Sequence, residues 1–140
     1  MRLVWRPIRP EDFNHELIWL VVSVAAVVAG GVWLALGLPW LACPFRAATG
    51  YPCLTCGATR CAIAFSHGHL SMAWSWNPLA FLALCGVALF DLYAVVVLLT
   101  RGPRLRVIDW TRGEKNAVRV AVVVLIAVNW AYLVAHRAQY

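Results

Sequence analysis

The sequence predicts an all-α integral membrane protein, with three transmembrane helices plus a short re-entrant or interfacial helix in a cysteine-rich segment. Three observations predict it. First, of 140 residues 63% are hydrophobic and only 13% charged, whereas a soluble domain is nearer half apolar and a quarter charged. Second, residues 17–45 hold no Asp, Glu, Lys or Arg, residues 61–90 hold none either, and 120–135 is again uncharged. A span needs about 20 such residues, and its backbone must satisfy itself, which makes it a helix. Third, the net charge of +6 comes from arginines that flank these runs rather than from a patch within a polar domain. That distribution argues for membrane topology and against nucleic acid as the partner. The lipid bilayer is then the first partner implied.

The expected organisation is one membrane domain over 1–140, with spans at about 16–39, 77–100 and 117–136, a cysteine-rich segment at 43–75 and a basic loop at 101–116. Arg2, Arg6 and Arg9 precede the first span. Arg101, Arg104, Arg106, Arg112, Lys115 and Arg119 lie around the start of the third. The positive-inside rule places the N-terminus and the 101–116 loop in the cytoplasm, and the cysteine segment and C-terminus on the other side. The asymmetry suits a bacterial inner membrane. The first apolar run exceeds the length of a cleaved signal core. Trp40 also spoils the lipoprotein-like run before Cys43, so the span is expected to be retained.

Pro10 with Glu11 and Asp12 suits the start of the first helix, which is expected to begin at about 11 or 16 and to reach Leu38. Gly30-Gly31 inside it would admit a close neighbour or form a flexible point. Gly37 and Pro39 end it, and Trp40 suits the interface. A loop follows to about Thr55. "CGATRCAIAFSHGHL" then reads as one short helix capped by Thr55, too short to span. Trp74 and Trp76 read as interface anchors. Asn77 is a natural N-cap and Pro78 a natural first helical residue for the second span. Gly102-Pro103 opens the basic loop, whose Val107, Ile108 and Trp110 suggest contact with anionic headgroups. The third helix is expected over about 114–136.

The segment "CPFRAATGYPCLTCGATRC" carries the candidate chemistry. Cys43, Cys53, Cys56 and Cys61 form a cluster in sequence, and the close Cys53–Cys56 pair is its informative part. Disulfides lead among the readings, since thiols outside the cytoplasm are driven into bridges; four cysteines allow three pairings, and sequence cannot choose. Thiol exchange by Cys53 and Cys56 comes second, because a helix start stabilises a thiolate, though no thioredoxin-like βαβ pattern accompanies the pair. A metal is third, with zinc as the alternative cofactor and Cys53, Cys56, His67 and His69 as candidate ligands. Strong zinc patterns pair two knuckles, and only one is present. No cofactor is favoured, and the remaining reading is free, buried thiols. Cys85, mid-span, reads as a small apolar packer. Arg60 on an apolar short helix must pair or snorkel, as a structural brace or on an anion such as a lipid headgroup. Asp91 and Asn129, at similar depth in the second and third spans, read as an intramembrane polar pair holding two helices together.

The run from Cys43 to Ala80 resembles the signature of an uncharacterised bacterial membrane family, domain of unknown function 2752. The matching positions are Cys43, Pro44, Gly50, Pro52, Cys53, Cys56, Gly57, Thr59, Arg60, Gly68, Ala73, Asn77 and Pro78. Leu54 stands where that family usually has proline, and Cys61 where a small apolar residue is usual. The resemblance therefore implies a shared set of three cysteines plus Arg60, with Pro44, Gly57, Thr59, Asn77 and Pro78 as structural positions. It implies a small multi-span membrane protein and supplies no reaction. The function expected is that of a non-catalytic subunit, scaffold or assembly partner of a larger membrane protein or complex, or a homo-oligomer. A thiol-redox protein and a zinc-binding protein are the alternatives.

Overall fold

The computed structural model describes residues 3–6, 14–37, 43–100, 104–107, 111–136 and 138, the two four-residue strands by their backbone. The elements run β1 (Leu3–Arg6), α1 (His15–Ala35), α2 (Pro44–Thr49), α3 (Ala58–Ser66), α4 (Leu70–Trp76), α5 (Pro78–Thr100), β2 (Arg104–Val107) and α6 (Arg112–Ala135). Three helices are long and apolar enough to cross a membrane: α1 with 21 residues, α5 with 23 and α6 with 24. At 1.5 Å per residue they reach about 32, 35 and 36 Å, matching a hydrocarbon slab of about 30 Å. Large apolar side chains on all three are exposed, among them Val27, Leu89, Leu99 and Val123. Lipid is the solvent that makes such surfaces stable, and the chain is an integral membrane protein.

The chain divides into two compact units. One comprises Met1–Trp40 with Gly86–Lys115, the other Leu41–Cys85 with Asn116–Tyr140. In the first, β1 and β2 pair antiparallel, a short ladder that an all-helical reading did not include. β2 alternates arginine and apolar positions, the period of an extended chain, whereas β1 is apolar up to its last residue, Arg6. The register pairs Leu3 with Val107, Trp5 with Leu105, Val4 with Arg106 and Arg6 with Arg104. Directly paired residues share a face. Leu3–Arg6 and Arg104–Val107 accordingly lie side by side. Apart from its own helix, a Cβ added at Gly30 or Gly31 would meet no atom within 4 Å, so of the two readings the close helix approach is not made among the described residues.

In the second unit the cysteine-rich segment forms a cap of three short helices rather than a loop and one helix. Pro44 supplies the first helical φ of α2, and Gly50, at φ 73°, ends it. Gly57, at φ 77°, is the N-cap of α3 in place of Thr55. Gly68, at φ 76°, separates α3 from α4. Cys61, Ala64 and Ala73 form the cap core, with Phe65, Trp76, Ala80, Phe81 and Leu84 packed against it. Their small side chains let α3 and α4 approach closely. Phe81 receives Phe65 and Trp74 edge-on, at 5.9 and 5.6 Å between ring centroids.

At the start of α6, Thr111 and Glu114 form a reciprocal capping box: the Thr111 N–H donates to Glu114 Oε2 at 2.9 Å, and the Glu114 N–H to Thr111 Oγ1 at 3.3 Å. This fixes the helix start two residues before the expected Glu114. The expected helix start at Pro10 with Glu11 and Asp12, Pro39, Trp40, Gly102-Pro103, Ile108 and Trp110 lie outside the described residues.

Candidate functional site

The turn after α2 brings three sulfurs together. The Sγ atoms of Cys43, Cys53 and Cys56 all lie within 4.8 Å of one another. Cys43 is the N-cap residue of α2, and its carbonyl accepts the Ala47 N–H at 3.0 Å. Residues 50–52 reverse the chain and return Cys53 to it. Between Cys53 and Cys56 the backbone makes one tight turn, with the Cys56 N–H donating to the Cys53 carbonyl at 3.1 Å. The Cys53 N–H in turn donates to Cys56 Sγ at 3.2 Å. The two sulfurs stand 3.4 Å apart, and Thr55 Oγ1 lies 3.3 Å from Cys53 Sγ. Thr55 thus serves a thiol rather than a helix start. Gly57 takes the left-handed conformation that sends the chain directly from Cys56 into α3, where a Cβ would cost about 1–2 kcal/mol.

All five cysteines are free thiols in this structure. The fourth member of the expected cluster, Cys61, lies apart from the other three. Cys61 is fully buried in the cap core, where its thiol donates to the Asn77 carbonyl at 3.8 Å. It sits on the face of α3 that packs on α4, so its sulfur serves the core rather than the cluster. Among the described residues no histidine or carboxylate joins the three thiols. His67 Nδ1 lies 2.8 Å from the Ile63 carbonyl at the end of α3, and His69 is the N-cap residue of α4.

The two paired thiols are unlike. Cys53 is half-buried and Cys56 buried, at 8% exposed. Burial opposes ionisation of Cys53, but hydrogen bonds from the Thr55 hydroxyl, from Cys43 and Cys56, and from the Thr55 backbone together outweigh it and lower its pKa to about 7. For Cys56, burial and the neighbouring Cys53 thiol raise the pKa to about 12, although the Cys53 N–H works the other way. Burial likewise raises the Cys61 thiol.

The cap is braced from below by two asparagines. Asn77, 1% exposed, donates from Nδ2 to the carbonyls of Leu54 at 3.2 Å and Cys56 at 3.0 Å. Its Oδ1 accepts the Ala80 N–H at 3.0 Å, capping α5. Pro78 has no N–H to satisfy, and the Leu79 N–H donates to Asn129 Oδ1 at 3.0 Å. Trp130 Nε1–H donates to the Pro52 carbonyl at 3.1 Å, and the Tyr132 hydroxyl to the Ser75 carbonyl at 3.1 Å. Arg60 lies with its guanidinium carbon 4.6 Å from the centroid of the Trp76 ring, a cation–π contact that ties α3 to α4. Thr59 occupies the first turn of α3, half-buried.

The polar pair expected between Asp91 and Asn129 is replaced by two separate bonds. Asp91 Oδ1 lies 2.9 Å from Ser23 Oγ. Asn129 serves the start of α5, where the first N–H groups have no upstream carbonyl and need an acceptor from elsewhere. Asn129 Nδ2 is buried and finds no acceptor among the described residues. Trp130, Tyr132 and Ser23 escaped sequence reasoning. Aromatic residues near a span end read as interface anchors, and that pattern does not name the carbonyl they bond.

Residues 43–90 match the family model described as Protein of unknown function (DUF2752). That stretch holds the cap and the first half of α5, and it agrees with the resemblance read from the cysteine motif. No curated protein and no solved structure matches the chain.

Proposed function

We propose that this chain is a single membrane domain working as a non-catalytic module, a subunit or assembly partner whose cysteine-rich cap docks on a larger membrane protein or complex. One observation carries this reading: the cap is rigidly braced. Asn77, Trp130 and Tyr132 spend their hydrogen bonds on cap carbonyls, and Asn77 and Asn129 close the start of α5. Such bracing suits a platform that presents a fixed surface. The arginine asymmetry supports a cytoplasmic N-terminus and basic loop, with the cap and C-terminus outside a bacterial inner membrane.

The unlike Cys53 and Cys56 thiols favour a second reading, thiol–disulfide exchange. The Cys53 thiolate would attack a partner disulfide, forming a mixed disulfide and releasing one partner thiolate, which takes a proton from water. Cys56, losing its proton, would then attack the Cys53 sulfur and release the second partner thiol. The partner disulfide is reduced and the Cys53–Cys56 pair oxidised.

Full-length chain in lipid vesicles, mixed with a disulfide-linked peptide and glutathione, separates the two. The non-catalytic reading expects no turnover above that of Cys53→Ser. It also expects crosslinking in native membranes to give one defined larger species, reduced by Asn77→Ala. Turnover that needs both Cys53 and Cys56 overturns it in favour of exchange.

A further inference from the structure

We infer that Cys43, Cys53 and Cys56 form a binding site for one soft, thiophilic cation, zinc(II) or copper(I), held by three thiolates. The inference deepens the reading of the cap, but it rests on the arrangement of the sulfurs and not on the docking role.

The distances carry it. With metal–sulfur bonds of about 2.3 Å, thiolates sit about 3.8 Å apart in a tetrahedral site and about 4.0 Å apart in a trigonal one. Here the three sulfurs lie within 4.8 Å of one another, with Cys53 and Cys56 at 3.4 Å. Shifts of less than an ångström bring all three onto one ion. A thiol pair alone would serve exchange. The third sulfur arrives from a separate segment, ten residues earlier in the chain, across α2 and a reversal.

The surroundings are those of a ligand set held in advance. The Cys53 N–H already donates to Cys56 Sγ, and the Thr55 hydroxyl lies within hydrogen-bond reach of Cys53 Sγ. Asn77 holds the carbonyls of Leu54 and Cys56, fixing the turn that carries both ligands. Such outer contacts orient ligands and stabilise thiolate charge.

The donor set also states the class of ion. Three sulfurs with no nitrogen or oxygen ligand from the described residues select soft cations over magnesium or calcium. Cys61 does not supply a fourth sulfur, because its thiol is committed to the Asn77 carbonyl. Zinc would complete its tetrahedron with water or an incoming group; copper(I) is satisfied by three thiolates. One zinc(II) and three thiols give a complex of charge −1 and release three protons, so affinity rises with pH.

The test uses the full chain in detergent, reduced and stripped of metal by a chelator. It is titrated with zinc(II) alone and, without oxygen, with copper(I) alone. One ion per chain is expected. Cys43, Cys53 and Cys56 become protected from maleimide on binding, while Cys61 and Cys85 are unchanged. Cys43→Ser weakens binding by about 100-fold, and Cys85→Ser leaves it intact. Competition between the two ions names the metal. Failure of wild type to bind either ion stoichiometrically overturns the inference. So does protection of a different set of thiols, or binding that Cys43→Ser leaves unchanged, which would assign a two-thiol site. If Cys43→Ser does not fold, the wild-type protection pattern decides by itself. Binding by a chain that docks on nothing leaves this inference standing and removes only the docking role.

Discussion

Ser23 Oγ lies 2.9 Å from Asp91 Oδ1, joining residues 68 apart in sequence. Ser23 stands eight residues from the first residue of α1, and Asp91 nine from the last of α5. At 1.5 Å per residue these depths are about 12 and 14 Å from one end of the pair. That end is the one where β1, ahead of α1, pairs with β2, behind α5. The side-chain bond and the strand register therefore describe the same antiparallel alignment.

Ser23→Ala removes the hydroxyl partner of Asp91 within an apolar span. The loss expected is about 1 kcal/mol, the usual range for a hydrogen bond between membrane helices. Reversible unfolding in detergent or bicelles measures it. Equal stability of the two proteins would mean that the bond contributes nothing.

Asn77→Ala strips two cap carbonyls of their donor and α5 of its cap at once. A cost of about 2–4 kcal/mol follows from two lost hydrogen bonds and a lost N-cap. Cys56, now 8% exposed, becomes open to maleimide as the turn loosens. Asn77→Asp keeps an acceptor for the Ala80 N–H and so recovers part of the stability, but not the protection of Cys56. Unchanged labelling of Cys56 in Asn77→Ala would show that the brace is dispensable.

The lowered Cys53 pKa sets a pH profile. A thiolate alkylates and a thiol does not, so Cys53 labelling by iodoacetamide rises tenfold per unit below pH 7 and levels off above it. Cys56, raised to about 12, stays silent across the same range. Peptide mapping after short pulses at pH 5–9 distinguishes the two. A common midpoint for both thiols, at their ordinary value, contradicts the asymmetry.

Lys115 is the chain's single lysine and is exposed at the start of α6, among the arginines of the basic segment. If the basic loop is in the cytoplasm and the cap outside, as proposed, an impermeant maleimide added to intact cells modifies Cys53, while an impermeant amine reagent reaches Lys115 only after the membrane is opened. Modification of both residues from the same side rejects the topology.

Much of the fold was legible because hydrocarbon imposes a simple rule on sequence. Runs such as 120–135 have to be helices, and their number and rough limits can be counted. The motif from Cys43 to Pro78 likewise marked the segment that became the cap. The capping roles of Asn77 and Pro78 follow from local chemistry alone, because an amide oxygen and a fixed φ act within one turn. The three-helix form of the cap was less legible. A proline and glycines at 50, 57 and 68 punctuate it, but apolar residues on both sides of Gly68 read as one continuous helix.

By itself, then, the sequence determined the solvent of this protein, its three spanning helices and the stretch that holds its reactive sulfurs, since each depends on composition or on neighbours within a turn. Only the tertiary structure decided which thiols meet. Cys61 lies five residues from Cys56, yet the turn of α3 directs it into the core, while Cys43, ten residues before Cys53, returns to the cluster. The same holds for Asp91 and Asn129, whose partners, Ser23 and the Leu79 N–H, lie 68 and 50 residues away. Spacing along a chain gives the rise and rotation of one helix. It does not say which face packs inward or which distant backbone group is left without a partner, and those two facts assigned the polar and thiol side chains here.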